Sequence, residues 1–273
     1  MPPKSSMTVK PMFRWAGSKR KQVDRLGEFW SSKYRRYVEP FAGSACLFLH
    51  INPDCALIAD KNEELIEAYR VIVESPDDVY RTMVRKKRTA STYYYWRAQN
   101  PEDLSRFDRA VRFLYLNRNC FNGIYRTNRS GRFNVPFSND RVSRYLNKKE
   151  FMESVKRLSK AEFRAWDFGT TMRYVREGDF VYLDPPYKVD SRRVFNEYSK
   201  QPFTKNDLLR LRNHLRRIDD KGASFLASYA DCKEARDLAV GWKIKRLRVR
   251  RHVAGFSDAR RTAYEVLITN IQG

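Results

Sequence analysis

The sequence has few of the residues that metal centres and disulfide scaffolds need. Four cysteines, at 46, 55, 120 and 232, and three histidines, at 50, 214 and 252, are spread over 273 residues with no Cys-x-x-Cys pair. That spacing predicts neither a zinc site nor a disulfide framework. Long apolar runs are lacking as well: stretches such as Ala45–Leu49 and Cys55–Ala59 fall far short of the ~18–20 residues of a membrane span. The opening Met1-Pro-Pro-Lys-Ser-Ser-Met-Thr has no apolar segment of signal-peptide type, so export is not expected. No Gly-x-x-x-x-Gly-Lys-Ser/Thr occurs, which excludes a Walker-type phosphate cradle. Acidic residues are scarce, 32 against 55 Lys and Arg. A soluble, reduced, intracellular and strongly basic globular protein is the expectation.

What is present points to a polyanion. A compact protein with a net charge of +23 repels itself, and a polyanion relieves that repulsion as its counterions are released. Nucleic acid is the usual partner, and a generically basic or ribosome-associated protein is the plainer alternative that charge leaves open. Hydrophobic residues at 42% and aromatics at 14% are too many for a disordered basic tail. The length suits one large domain or two small ones with a substantial core.

No internal repeat is visible, and residues 1–10 read as a flexible tail. A small-residue turn, Phe13-Arg-Trp-Ala-Gly-Ser-Lys19, leads into an amphipathic stretch over Arg20–Trp30. The run from Tyr37 to Phe48 reads as a short strand, a glycine turn and a helix from about Ser44. Leu57–Asp60 reads as a second buried strand ending on an acid, followed by helical spacing of Leu65, Ile66, Ala68, Tyr69 and Ile72. From about 75 to 165 charged and aromatic residues interleave, as in Arg85–Arg88 and Tyr93–Trp96, with helical spacing up to Asn117. Asn122-Gly123 is a turn signal, and Arg129-Ser-Gly-Arg132 with Phe133 and Val135 beyond predicts a loop or hairpin. Strands over 179–184, 223–228, 243–250 and 264–271, with a helix over 208–218, then restore the α/β pattern. Strands alternating with helices predict a parallel α/β sheet interrupted by an inserted, mostly helical subdomain.

Two strand ends carry the candidate chemistry. Glu39-Pro-Phe-Ala-Gly-Ser44 follows the first strand, and Asp60 ends the next, 17 residues beyond Gly43. That is close to the spacing at which an acid accepts hydrogen bonds from ribose hydroxyls, although ordinary loop chemistry explains it equally well. Asp184-Pro-Pro-Tyr187 is sharper. Neither proline can donate a ladder hydrogen bond, so the pair makes a rigid turn presenting an acid, a carbonyl and an aromatic face. Such a set suits an amino group on a flat ring: the Asp184 carboxylate and the Pro185 carbonyl accept its two N–H bonds, and Tyr187 stacks. Acceptors that draw the amine toward tetrahedral geometry release its lone pair for attack. A proline-rich turn with a capping Asp is the bland alternative.

Together these blocks resemble the Dam-type, alpha-group (D12 class) DNA adenine-N6 methyltransferases. The resemblance rests on Phe13–Lys19, Glu39–Phe48, Ala59-Asp60, Asn119-Cys-Phe-Asn-Gly-Ile-Tyr-Arg126, Gly131–Phe137 and Asp184–Tyr187, in that order, and runs from about residue 11 to 271. It implies a Rossmann-like S-adenosylmethionine-dependent methyltransferase sheet with an inserted DNA-recognition subdomain carrying a hairpin. Residues 11–72 and 163–273 would form the catalytic domain and 73–162 the target-recognition domain. By the same resemblance Asp184, Pro185, Pro186 and Tyr187 are catalytic, with Tyr187 stacking on an adenine flipped out of the duplex. Trp15, Ala16, Gly17, Lys19, Glu39, Pro40, Phe41, Gly43, Ser44, Asp60 and Asp184 hold S-adenosylmethionine, with Asp60 on its ribose. Double-stranded DNA meets Arg14, Phe121, Asn122, Gly123, Arg126, Asn128 and Arg132. Phe121 would wedge beside the target and Arg126 would read a guanine, against the alternatives of core packing and a phosphate contact. Asp at 184 separates the site from the Asn-Pro-Pro-Tyr enzymes that methylate glutamine, and no metal is required.

Three positions depart from the family pattern: Ala45 and Ser18 stand where glycine is usual, and Ser138-Asn139 follows Asn-Val-Pro-Phe. Alanine at 45 fits the cofactor loop if its φ stays negative. Arg246–Arg250 alternates charge with apolar residues, and Arg85–Arg88 reads as a solvated helix face. The expected function is N6-adenine methylation of duplex DNA, within GATC, by a monomer in a bacterial or phage-encoded, cytoplasmic setting. A catalytically weak homologue that only binds DNA, and an adenine-N6 methylase of RNA, are the alternatives; a groove-reading segment argues against RNA, whose major groove is too deep and narrow.

Overall fold

The computed structural model describes residues 9–128, 130–139, 144–186, 203–250 and 262–272. Seven strands form one sheet: β1 (Arg36–Glu39), β2 (Ala56–Ala59), β3 (Ala161–Arg164), β4 (Asp179–Leu183), β5 (Ser224–Ala230), β6 (Lys243–Arg250) and β7 (Thr262–Thr269). Their order is β3-β2-β1-β4-β5-β7-β6, and every pair is parallel except those of β7, which runs against both β5 and β6. This is the α/β sheet that the alternation of strands and helices predicts and the Rossmann-like arrangement that the resemblance implies. Among the described residues no helix is long and apolar enough to cross a membrane.

The central strands read as near-continuous apolar runs because both faces are covered. Tyr37, Ile58, Phe180, Tyr182 and Leu226 point to one side, where α2 (Cys46–Ile51) and α3 (Glu63–Glu74) pack. Val38, Leu57, Val181, Leu183 and Phe225 point to the other, against α8 (Phe168–Arg173), α9 (Lys205–Asp220) and α10 (Lys233–Leu238). The register of β1 on β4 is anchored where Arg36 lies opposite Asp179, a buried carboxylate that accepts from its guanidinium at 2.6 and 3.3 Å.

Between β2 and β3 the described chain adds α3, α4 (Pro76–Arg85), α5 (Ala90–Ala98), α6 (Arg106–Asn119) and α7 (Lys148–Leu158), with a small hairpin between α6 and α7 held by the antiparallel bridges Cys120–Phe137 and Thr127–Phe133. Four of these five helix N-termini are capped by short polar side chains, Asn62 on Leu65 N–H, Thr89 on Thr92 N–H, Ser105 on Asp108 N–H and Asn147 on Glu150 N–H, while α4 opens on Pro76 without a side-chain cap. Val79, Met83, Val111, Leu114 and Phe151 join the core on the α3 side of the sheet. A separate cluster of Tyr93, Tyr115, Leu116, Cys120, Phe133 and Val135 lies farther out.

Three sequence expectations change here. The amphipathic stretch over Arg20–Trp30 contracts to α1 (Val23–Gly27), since only Val23 and Leu26 of this helix are buried and Gly27 is a poor helix former. Arg85–Arg88 is not a solvated helix face: α4 ends at Arg85, Lys86 sits 3.5 Å over the Trp96 ring, and Arg88 donates to Asn119 Oδ1 at 2.9 Å. The third concerns Ala45 and belongs with the site. The alternation over Arg246–Arg250 is present on β6, an edge strand that buries Leu247 and Val249 and exposes Arg246 and Arg248. Charge on an edge discourages pairing with another chain.

Candidate functional site

Strand order reverses between β1 and β4, and in an open α/β sheet that is where the carboxyl ends of the strands open a crevice. The turn after β1 and Asp184 after β4 both fall at this point. Three elements shape the turn. Ala42 N–H donates to Ala59 O at 2.9 Å, Tyr69 hydroxyl donates to Gly43 O at 2.9 Å, and Asp60 Oδ2 accepts from Gly43 N–H at 3.0 Å. Gly43 has φ +46°, and a Cβ there would come within 2.5 Å of the Trp15 indole, so the residue is needed both for its backbone and for this close approach. Ser44 and Ser18 hydroxyls lie 3.0 Å apart and tie the turn to the N-terminal segment.

Ala45 adopts φ 48° and ψ 37°, the left-handed region, so the condition of a negative φ under which alanine fits the cofactor loop is not met. The turn must reverse before α2 begins, and the buried Ala45 N–H donates to Ala42 O at 2.6 Å, so the backbone keeps the shape that glycine would give. The strain of a non-glycine residue there is about 1–2 kcal/mol. Replacing it by glycine would forfeit a buried methyl worth about 0.8 kcal/mol and restrain the unfolded chain less, which explains why alanine is tolerated.

Asp184 sits at the floor of the crevice. Ser228 on β5 donates to its Oδ1 at 2.8 Å, and the buried Lys19 ammonium lies 3.0 Å from the same atom. Lys19 also contacts Glu265 of β7 at 3.4 Å, and Gln22 donates to Glu265 at 3.1 Å. Burial raises the Asp184 carboxyl above its ordinary value, opposed by Lys19 and the Ser228 hydroxyl. Pro185 is buried and Pro186 exposed, whereas Tyr187 lies outside the described residues.

Around this floor the structure gathers Trp15, Lys19, Phe41, Gly43, Ser44 and Asp60. Asp60 accepts from the N–H groups of Gly43 and Asn62, and a carboxylate offers about four acceptor positions, so a ribose hydroxyl can still be taken. Phe41 stacks on Phe168, the first residue of α8, at 5.4 Å between centroids, giving a flat apolar wall beyond the end of β3. Acid for a diol, aromatic surface for a purine and a carboxylate floor are a donor set that fits an adenosyl sulfonium.

Glu39 is placed differently. It is 2% exposed, and it accepts from the Tyr37 hydroxyl at 3.0 Å. Burial pushes its carboxyl well above the ordinary range, helped by Asp184 and Asp60. An acid raised in the folded state binds its proton more tightly than in the unfolded chain, so stability falls as pH rises from about 4.3 through the folded value. Glu39→Gln keeps the acceptor for Tyr37 and removes this term. Urea unfolding should show the variant gaining stability over the parent between pH 5 and 8; parallel profiles would mean that Glu39 is ionised throughout.

A second constellation lies on the inserted segment. Asn122 at φ 53° and Gly123 at φ 65° make the reverse turn that the Asn-Gly pair signals. A Cβ on Gly123 would collide with the Arg14 side chain. Arg14 is clamped in turn to α6, its N–H donating to Asn117 Oδ1 at 2.8 Å and its carbonyl accepting from Asn117 at 2.7 Å. Phe121 is 41% exposed and so is not a core residue. Thr127 faces Phe133 in an antiparallel bridge, and the exposed tip is shaped by Asn128, whose Oδ1 accepts from Arg132 N–H at 2.9 Å. Arg126 donates to Asn134 Oδ1 at 2.9 Å across this hairpin. Trp15 stacks on Tyr125 at 5.8 Å and 16°, so one indole touches both the glycine turn and the hairpin.

Sequence reasoning did not single out Ser228, Glu265, Phe168, Tyr125 or Asn134. Only Glu265 left a signal, as a lone acid in the otherwise uncharged strand Thr262–Thr269. Among the described residues no group of three or more His, Cys, Asp or Glu could hold a metal ion.

Residues 15–253 match the model of the D12 class N6 adenine-specific DNA methyltransferase family. A type II methyltransferase, M1.LlaDCHI of Lactococcus lactis subsp. cremoris, is 29% identical over 98% of this chain and 97% of its own. The DNA adenine methylase of Escherichia coli strain K12 is 28% identical over 93% and 92%, and the type II methyltransferase M.CviBI of Paramecium bursaria Chlorella virus NC1A is 32% identical over 78% and 81%.

Proposed function

From the premise that the chain belongs to the D12 class N6 adenine-specific DNA methyltransferases, we propose that it transfers the methyl group of S-adenosylmethionine to N6 of an adenine in duplex DNA, within GATC. The observation that carries the reading is the place of Asp184, on the floor of the switch-point crevice beside the glycine turn, with Lys19 and Ser228 on one oxygen. S-adenosylmethionine supplies a sulfonium methyl. Asp60 takes its ribose, Phe41 and Phe168 its adenine ring, and Trp15, Ala16, Gly17, Pro40 and Ser44 line the approach. Asp184 and the Pro185 carbonyl accept the N–H bonds of the target amine, so its lone pair is aimed at the methyl; catalysis is positioning and orientation of that pair. Tyr187 stacks on the base. A base inside the stack is out of reach of this floor, so the adenine is flipped out.

Residues 73–162 serve target recognition and residues 11–72 with 163–273 serve catalysis. Exposed Phe121 fills the space left by the base, while Arg14, Asn122, Gly123, Asn128 and Arg132 approach the groove or its phosphates. Arg126 presents a planar fork to guanine O6 and N7. The net charge of +23 supplies the salt-sensitive attraction to duplex DNA. One chain acts on one strand at a time, which needs no second copy, in the cytoplasm of a bacterial or phage-infected cell.

The test is base-resolution methylation mapping of plasmid DNA from a methylation-null bacterium that expresses the chain. N6-methyladenine confined to GATC is expected. Methylation in another short motif would keep the reaction and remove the GATC assignment. Unmodified DNA from well-expressed, folded protein would leave only DNA binding or an RNA substrate.

A further inference from the structure

The polar network behind Asp184 contains an acid for which neither methyl transfer nor adenine binding has a use. Glu265 lies in the middle of β7, 4% exposed, opposite Ala230 of β5 and Leu247 of β6. Its carboxylate receives Gln22 at 3.1 Å and lies 3.4 Å from the Lys19 ammonium, which in turn is 3.0 Å from Asp184. A strut that only tied the N-terminal segment to β7 would need an acceptor for Gln22 and Lys19, and a neutral amide oxygen provides one. A second buried carboxylate carries a large desolvation cost, so its charge calls for an explanation of its own.

The explanation lies in the charge of the methyl donor. The methyl group must reach the amine that Asp184 holds, which brings the cationic sulfonium close to this corner. Lys19 is already there and repels it. Asp184 and Lys19 alone sum to zero; with Glu265 the three groups sum to one negative charge. Transfer removes the sulfonium charge and leaves a neutral thioether, S-adenosylhomocysteine, which otherwise carries the same groups.

We propose that Glu265 is a positioning residue for charge: by offsetting Lys19 it makes the crevice favour the sulfonium donor over the thioether product. The inference rests on the reading that S-adenosylmethionine is the donor. It also gives Lys19 a reason to be buried, since the ammonium holds Asp184 in place while Glu265 cancels its repulsion.

Calorimetric titration of the full chain with S-adenosylmethionine and, separately, with S-adenosylhomocysteine reads the effect without turnover. A unit charge several ångströms away in a half-buried site is worth on the order of a factor of ten. Glu265→Gln, which keeps the acceptor for Gln22, should weaken the sulfonium ligand about tenfold and the thioether less than about twofold, by that same electrostatic argument. Glu265→Asp, which keeps the charge but moves it, should preserve the ratio of the two affinities even if both fall. Equal losses for both ligands in Glu265→Gln would overturn the proposal and leave Glu265 a structural strut. A parent chain that binds neither ligand would instead overturn the cofactor reading, and the proposal with it.

Discussion

Asp184→Ala is expected to lower methyl transfer to duplex DNA by at least roughly 10²–10³-fold, the usual loss when one positioned polar group is taken from a reacting centre. Duplex binding should stay close to that of the parent, with an unchanged dependence on salt, because the positive charge that attracts phosphate lies elsewhere. The separation follows from the geometry. Asp184 is 20% exposed at the floor of the crevice and is held by Lys19 and Ser228, so its contribution is local. Its carboxyl is raised by burial, so little folding stability rests on its charge. Loss of the side chain also removes the carboxylate that lies 3.0 Å from the Lys19 ammonium. Asp184→Asn keeps an acceptor carbonyl and should fall between the two. Labelled-methyl transfer and gel shifts at two salt concentrations measure both quantities; turnover near the parent's in Asp184→Ala would remove this residue from the reaction.

Arg126→Ala should cost roughly 1–3 kcal/mol of discrimination at one base pair and little on unrelated sequences. The guanidinium is pre-oriented: Nε donates to Asn134 Oδ1 across a hairpin whose base is anchored by Tyr93 and Arg97 on the Val135 carbonyl. Pre-orientation reduces the rotamer entropy lost on contact, with a base edge or a phosphate alike. Competition binding against a panel of single-base-pair variants decides the matter. Uniform weakening on every sequence, with the salt slope reduced by about one, would make Arg126 a phosphate ligand.

The parts of the site that follow from local rules were legible in the sequence. Asp60 at the end of an apolar strand, the Asn122-Gly123 turn and the prolines after Asp184 each carry their geometry in their own chemistry. What escaped depends on partners distant in the chain. Glu265 meets Lys19 across 246 positions, and nothing near either residue announces the other. The φ of Ala45 was not legible for a related reason: an alanine ordinarily avoids left-handed backbone, and here the hydrogen bonds of the turn and complete burial outweigh that preference. The helix α1 is shorter than the amphipathic spacing because Phe29 and Trp30, past Gly27, pack against the core from outside the helix.

The interruption of the sheet also orders events at the ribosome. Arg36 and Asp179, opposite each other on β1 and β4, are separated by 143 positions, and β3 reaches β2 only after α3 through α7 have been made. Helices with local contacts form quickly, whereas distant parallel pairings form slowly. The nascent chain therefore carries β1 and β2 as an apolar pair open on both edges while the helical segment condenses beside it. Until β3 and β4 are made, both edges of that pair lack the partners they have in the finished sheet, and an unpaired strand edge is where another chain can add.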